Sequence, residues 1–99
     1  MKTLVDEAAP ERVILFGSHA TGTPTEESDA DLLVVQSEPF GAGRSRRLEL
    51  ARLTRALSGI RMPIDLLLYS TDEVEFWEQS PNHVVGRALR EGRVMYERS

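Results

Sequence analysis

Two short stretches of this chain could do chemistry together. Val13-Ile14-Leu15-Phe16 runs into Gly17-Ser18-His19, and with ten residues intervening after Ser18 the segment Asp29-Ala30-Asp31 opens a second apolar run, Leu32-Leu33-Val34-Val35. Side chains alternate faces along a strand, so Asp29 and Asp31 project the same way. Paired carboxylates at the edge of a core repel and lose hydration, and a divalent cation with oxygen preference offsets both costs. Gly17 has no Cβ to hold a ligand away from the backbone, and N–H groups at a following helix start attract anions. The Ser18 hydroxyl can donate to a phosphate oxygen. The GxxxxGK[ST] loop of common NTPases is absent. A turn suited to phosphate, beside carboxylates suited to a metal, points to nucleotide chemistry.

Asp65 is the third acid of interest, set among Ile64, Leu66, Leu67 and Leu68. A carboxylate inside a strand that wants burial must be neutralised, paired or metal-bound. Taken alone, it could pair with Arg61 or Arg93. If its strand lies beside the second strand, Asp29, Asp31 and Asp65 could together hold two Mg²⁺ ions about 3.5–4 Å apart, as in-line phosphoryl chemistry uses them.

The elements that position these residues follow from pattern. A short helix over Leu4–Ala9 stops near Pro10, and Arg12–Phe16 reads as a buried strand. A short helix over Ser18–Thr21 and a polar loop over Thr23–Ser28 lead to a strand at Ala30–Gln36. Arg44–Ser58 is the best helix, with Gly59 as its cap. Leu50, Leu53 and Leu57 form its apolar stripe, with Arg44, Arg47, Arg52 and Arg55 broadly opposite. Those arginines form either a solvated face or a surface for an anionic partner. Pro63–Tyr69 is a third strand, and Ser70 or Thr71 caps the next helix. Asn82 opens a last helix through Glu91, closed by Gly92, before a final strand at Arg93–Glu97. Phe76 and Trp77 read as core or cap residues, and Tyr69, Tyr96 and His83 as structural. The expected architecture is a single α/β domain over residues 1–99, a small mixed sheet of about four strands with helices packed on it.

Composition narrows the function. A formal net charge of −4 opposes general nucleic-acid binding, which needs a basic excess. The absence of cysteine removes disulfides and thiolate metal sites and suits a cytoplasmic protein. Acids near the N-terminus argue against a signal peptide, and no apolar run approaches the roughly 20 residues that span a bilayer.

The run GS-x10-DxD, followed by the later strand residue Asp65, resembles the DNA polymerase β-like nucleotidyltransferase superfamily, and within it the minimal nucleotidyltransferases. The likeness extends from Arg12 to Tyr96, with its core in Val13–Val35 and Pro63–Tyr69. It implies that fold, with ATP or another NTP as substrate. It also implies that Gly17 and Ser18 bind the triphosphate, Asp29 and Asp31 bind both metals, and Asp65 completes the acceptor-side metal site. Many members carry Arg directly after the GS pair and often another two positions on; this chain has His19 and Thr21. A neutral imidazole at His19 helps a triphosphate less than a guanidinium does. The resemblance further implies a hetero-oligomer with a small helical HEPN protein in a toxin–antitoxin pair, silenced by AMP transfer to a tyrosine. Two other readings stand beside it: a non-catalytic antitoxin, and a small-molecule nucleotidyltransferase acting on an antibiotic.

Overall fold

The computed structural model describes residues 2–16, 30–41, 43–59, 64–80 and 82–98. Its elements are α1 (Lys2–Ala8), β1 (Arg12–Phe16), β2 (Ala30–Gln36), α2 (Arg46–Ala56), β3 (Ile64–Ser70), α3 (Thr71–Trp77), α4 (Val84–Glu91) and β4 (Arg93–Glu97). The expected helix at Ser18–Thr21 and loop at Thr23–Ser28 lie outside the described residues. The strands form one sheet in the order β3-β2-β1-β4. β1 is antiparallel to β2 and β4, while β2 and β3 are parallel, joined by a crossover that contains α2. The sheet is mixed and four-stranded, as the sequence pattern predicts.

The two-residue period of the strands sends alternate side chains to two separate cores. Val13, Leu32, Val34 and Leu68 pack with Leu4 and Ala8 of α1 and with Leu53 and Leu57 of α2 and its end. Ile14, Leu33 and Val35 pack on the other face with Val74 of α3 and Val85 and Ala88 of α4. β2 is consequently buried from Leu32 through Gln36. Each fully buried Val or Leu side chain there contributes about 1.5–3 kcal/mol.

The helix ends have local causes. Ala9 adopts a left-handed φ of 46° and donates its N–H to the Val5 carbonyl at 3.0 Å, which ends α1 just before Pro10. Ser45 caps α2, its hydroxyl accepting from the Leu48 N–H. That helix starts two residues after the expected Arg44, and its carboxyl cap is Leu57 rather than Gly59. Ser70 and Glu73 form a reciprocal capping box on α3. α4 is capped by His83 rather than Asn82, the imidazole Nδ1 accepting the Val85 N–H at 3.1 Å. Gly86 is required where α4 crosses the chain ahead of it, since a Cβ there would stand 2.3 Å from the Ser80 carbonyl oxygen. Phe76 is a correction: at 68% exposure it is neither core nor cap, and its ring meets Trp77 edge-on.

The carboxyl end of β2 carries a polar clasp that hydrophobic patterning does not announce. Gln36 is 3% exposed and donates to the Ala8 carbonyl and to Glu49 Oε2, both at 2.9 Å. Its side-chain oxygen accepts from Arg44, and its backbone carbonyl accepts from the Thr71 hydroxyl at 3.3 Å. Arg44 and Arg52 belong to this clasp rather than to a free basic face, because Arg52 Nε donates to Glu49 Oε1 at 2.8 Å and Arg44 also bonds the Glu38 carbonyl. The Arg52 hydrogen bond, against the opposing effect of burial, holds the Glu49 carboxyl below the usual glutamate range.

A depressed folded-state value means that this stabilisation is present above the unfolded glutamate range and is lost as pH falls through the folded value. Glu49→Gln should therefore lower stability by about 1 kcal/mol at neutral pH, with the gap to the native protein closing in acid. Urea unfolding at pH 7 and pH 3 measures this. Gly86→Ala should cost about 1–3 kcal/mol through overpacking, read in the same titration.

Candidate active site

Strand register decides which acids meet. Asp31 stands opposite Phe16 of β1 on one side and opposite Asp65 of β3 on the other. Parallel neighbours in register lie about 4.8 Å apart, so the two acids are side by side. The next row along the sheet is Ile14, Leu33 and Leu67, and the one after it is Arg12, Val35 and Tyr69. Ile14, Leu33 and Val35 belong to the core beneath α3 and α4. By the period of two, Asp31 and Asp65 occupy that same face, one row beyond the apolar floor. This end of the sheet, where β1 finishes and β2 and β3 begin, is called the front below.

The two acids differ in setting. Asp31 is partly buried on a central strand, while Asp65 is exposed on an edge strand. The expectation that Asp65 is buried among its apolar neighbours is thus corrected. Its strand is an edge, and its own position precedes the part that α3 covers. Pairing with Arg93 is also excluded, because β4 is at the opposite edge, beyond β2 and β1. Arg61 lies outside the described residues.

Gly17, Ser18, His19 and Asp29 also lie outside the described residues. Of the predicted site, the structure brings together Asp31 and Asp65, and the chain leaves β1 toward Gly17 from Phe16 in the same row. The residue type of Phe16 does not single it out. Its signal was positional: it is the last residue of a strand whose antiparallel neighbour starts with the acids. Among the described residues no group of three or more His, Cys, Asp or Glu side chains is placed to hold a metal. The pair that is present offers hard carboxylate oxygens on neighbouring strands, a donor set that fits Mg²⁺. Two like charges at this spacing repel by about 1 kcal/mol in water-like surroundings and more where water is excluded.

The face beyond the acids is built by aromatic packing at the rear and by α4. His83 stacks on Trp77, with centroids 3.9 Å apart and planes 7° apart, and meets the Tyr69 ring edge-on at 5.9 Å. At the other end of α4, a Cβ on Gly92 would stand 2.5 Å from Ile14 Cγ2 and 3.0 Å from the Leu15 carbonyl oxygen. No described helix is long and apolar enough to cross a membrane.

Over 63 residues the chain is 35% identical to a Methanocaldococcus jannaschii protein provisionally named a protein adenylyltransferase, a match that spans 64% of this chain and 63% of that protein. A crystal structure from Sulfolobus solfataricus, provisionally named a nucleotidyltransferase, superimposes with a TM-score of 0.63 at 23% identity, covering 98% of this chain and 77% of that one. A toxin–antitoxin complex crystallised with AMP-PNP gives a TM-score of 0.58 at 21% identity, and a double Asp-to-Glu mutant of the toxin–antitoxin MntA-HpeT gives 0.58 at 16%. Each of those two matches covers 99% of this chain and 71% of the other. At these identities the structural likenesses speak for the fold alone. The sequence model described as Polymerase beta, Nucleotidyltransferase matches residues 1–99, and the chain belongs to that family.

Proposed function

We propose that this chain is a Mg²⁺-dependent nucleotidyltransferase that moves AMP from ATP to a hydroxyl, the acceptor being a tyrosine of a helical HEPN-type toxin that it silences as antitoxin in the cytoplasm. The observation that carries this reading is the in-register placement of Asp31 and Asp65 at the front of parallel β2 and β3. The adenylyltransferase name of the archaeal relative supports the choice of nucleotide. The toxin–antitoxin structures of the same fold support a protein partner.

In this reading Asp29 and Asp31 hold two Mg²⁺ ions, Asp65 completes the acceptor side, and Gly17, Ser18 and His19 receive the triphosphate. When bound, the metal supplies charge neutralisation at the phosphates and lowers the pKa of a coordinated hydroxyl. The acceptor oxygen attacks the α-phosphorus in line as the bond to the bridging oxygen breaks. Pyrophosphate leaves with the electron pair. In the same reading the Asp65 carboxylate would accept the hydroxyl proton and pass it to water. Positioning and electrostatics do most of the work in such transfers.

His19, where many members have Arg, favours a second reading in which the chain neutralises its partner by binding alone. ATP labelled at the α-phosphate, incubated with Mg²⁺, this protein and its genomic neighbour, separates the two. Transfer of label to the neighbour, abolished by Asp31→Asn, is the expected result. A stable complex without label, neutralising the toxin equally well with Asp31→Asn, would establish the binding-only antitoxin. The metal assignment is checked without turnover. Millimolar Mg²⁺ with ATP should raise the thermal midpoint of the native protein, as any ligand of the folded state does. Asp65→Asn should lose most of that rise yet melt at or slightly above the native midpoint without ligand, because carboxylate repulsion is relieved.

A further inference from the structure

α4 has a direction that matters. It begins at the rear of the sheet, where its capping His83 meets Tyr69 of the third row, and it ends at Gly92 against Leu15. β4 then starts with Arg93 opposite Leu15, so the last turn of α4 stands at the front, on the same face as Asp31 and Asp65. Leu89, in that turn, packs into the same core as Phe16, the register partner of Asp31.

The flank of α4 that looks toward the acids is fixed by Gly86. Its Cα faces the Ser80 and Trp77 carbonyls, on the side of α3, and α3 packs over β2 and β3. A residue four positions on lies on the same flank, one turn further along the axis. That residue is Arg90. It is exposed and sits in the last turn of α4, a helix that packs on β1 and against α3. Other front-end arginines are differently placed. Arg93 shares the face of Leu15, which packs with α1 and α2, and Arg55 rides on α2 of that same layer. Arg87 lies three residues further back along α4.

We infer that Arg90 is a substrate-binding residue for the nucleotide's polyphosphate, reaching from α4 over the row that contains Asp31 and Asp65. This rests on the function proposed above. A nucleoside triphosphate brings several negative charges to a row that already carries two carboxylates, and guanidinium is the side chain best shaped to meet phosphate oxygens. The residue after the GS pair is His19 rather than Arg, so in this assignment the guanidinium comes from α4 instead.

Titration of fluorescent ATP with Mg²⁺ into native, Arg90→Ala, Arg90→Lys and Arg87→Ala proteins tests this, with thermal midpoints confirming that each is folded. Loss of one charge-assisted contact should weaken ATP binding roughly tenfold or more in Arg90→Ala. Arg90→Lys should recover part of that loss, and Arg87→Ala should stay within twofold of native. The defect should shrink for AMP, which lacks the β- and γ-phosphates. Native binding with an unchanged Arg90→Ala, or an equal loss in Arg87→Ala, overturns the assignment of Arg90 and leaves the function standing. Failure of the native protein to bind ATP overturns both.

Discussion

The pairing of β2 with its two neighbours is the constraint on which the molecule depends. β2 is bonded on both edges and buried on both faces, so neither its register nor its facing is free. A slip of one residue would turn Leu33 and Val35 toward α1 and α2 and carry Asp31 to the wrong layer. The same hydrophobic period that fills two cores therefore aims one carboxylate at its neighbour on β3. The alignment of the acids is a by-product of packing and needs no separate device.

The two ends of the sheet have different electrostatic characters. At the rear, the amide of Gln36 satisfies groups from α1, α2 and the segment between β2 and α2, and no buried side-chain nitrogen or oxygen among the described residues lacks a partner. Charges there are matched, Glu49 with Arg52 and Arg44, Arg46 with Glu73. At the front, like charges are brought together instead. Satisfied polar networks rigidify, while juxtaposed like charges repel. A rigid rear that supports a row of neighbouring carboxylates is the arrangement expected of a scaffold that positions a functional site.

Much of this was legible in the residues. Continuous apolar runs at Arg12–Phe16 and Ala30–Gln36 located β1 and β2, because strands buried on both faces cannot alternate. β3 and β4 were likewise placed to within a residue. Asp65 approaches Asp31 only if β3 neighbours β2, a condition the register meets; its exposure departs from expectation, since its apolar neighbours do not reveal that β3 is an edge. Gln36 reads only as the last residue of a strand; the approach of α1 and α2 makes it a buried hub. Arg44 and Arg52 were grouped by helical angle with Arg47 and Arg55, and the acids that separate them, Glu49 and Glu7, come from one turn away and from α1. His83 lost the cap to Asn82 on propensity, though its ring nitrogen serves as acceptor.

The stacking of His83 on Trp77 has an optical consequence. Trp77 is the chain's single tryptophan, and an imidazole lies nearly parallel to its ring at 3.9 Å. Emission from a lone indole in such a sandwich follows the position of the ring beside it. That ring belongs to the residue at the start of α4, so any tilt of this helix changes the stack. The protein thus carries its own fluorophore at the start of α4, and its emission reports on the seating of that helix with no added label.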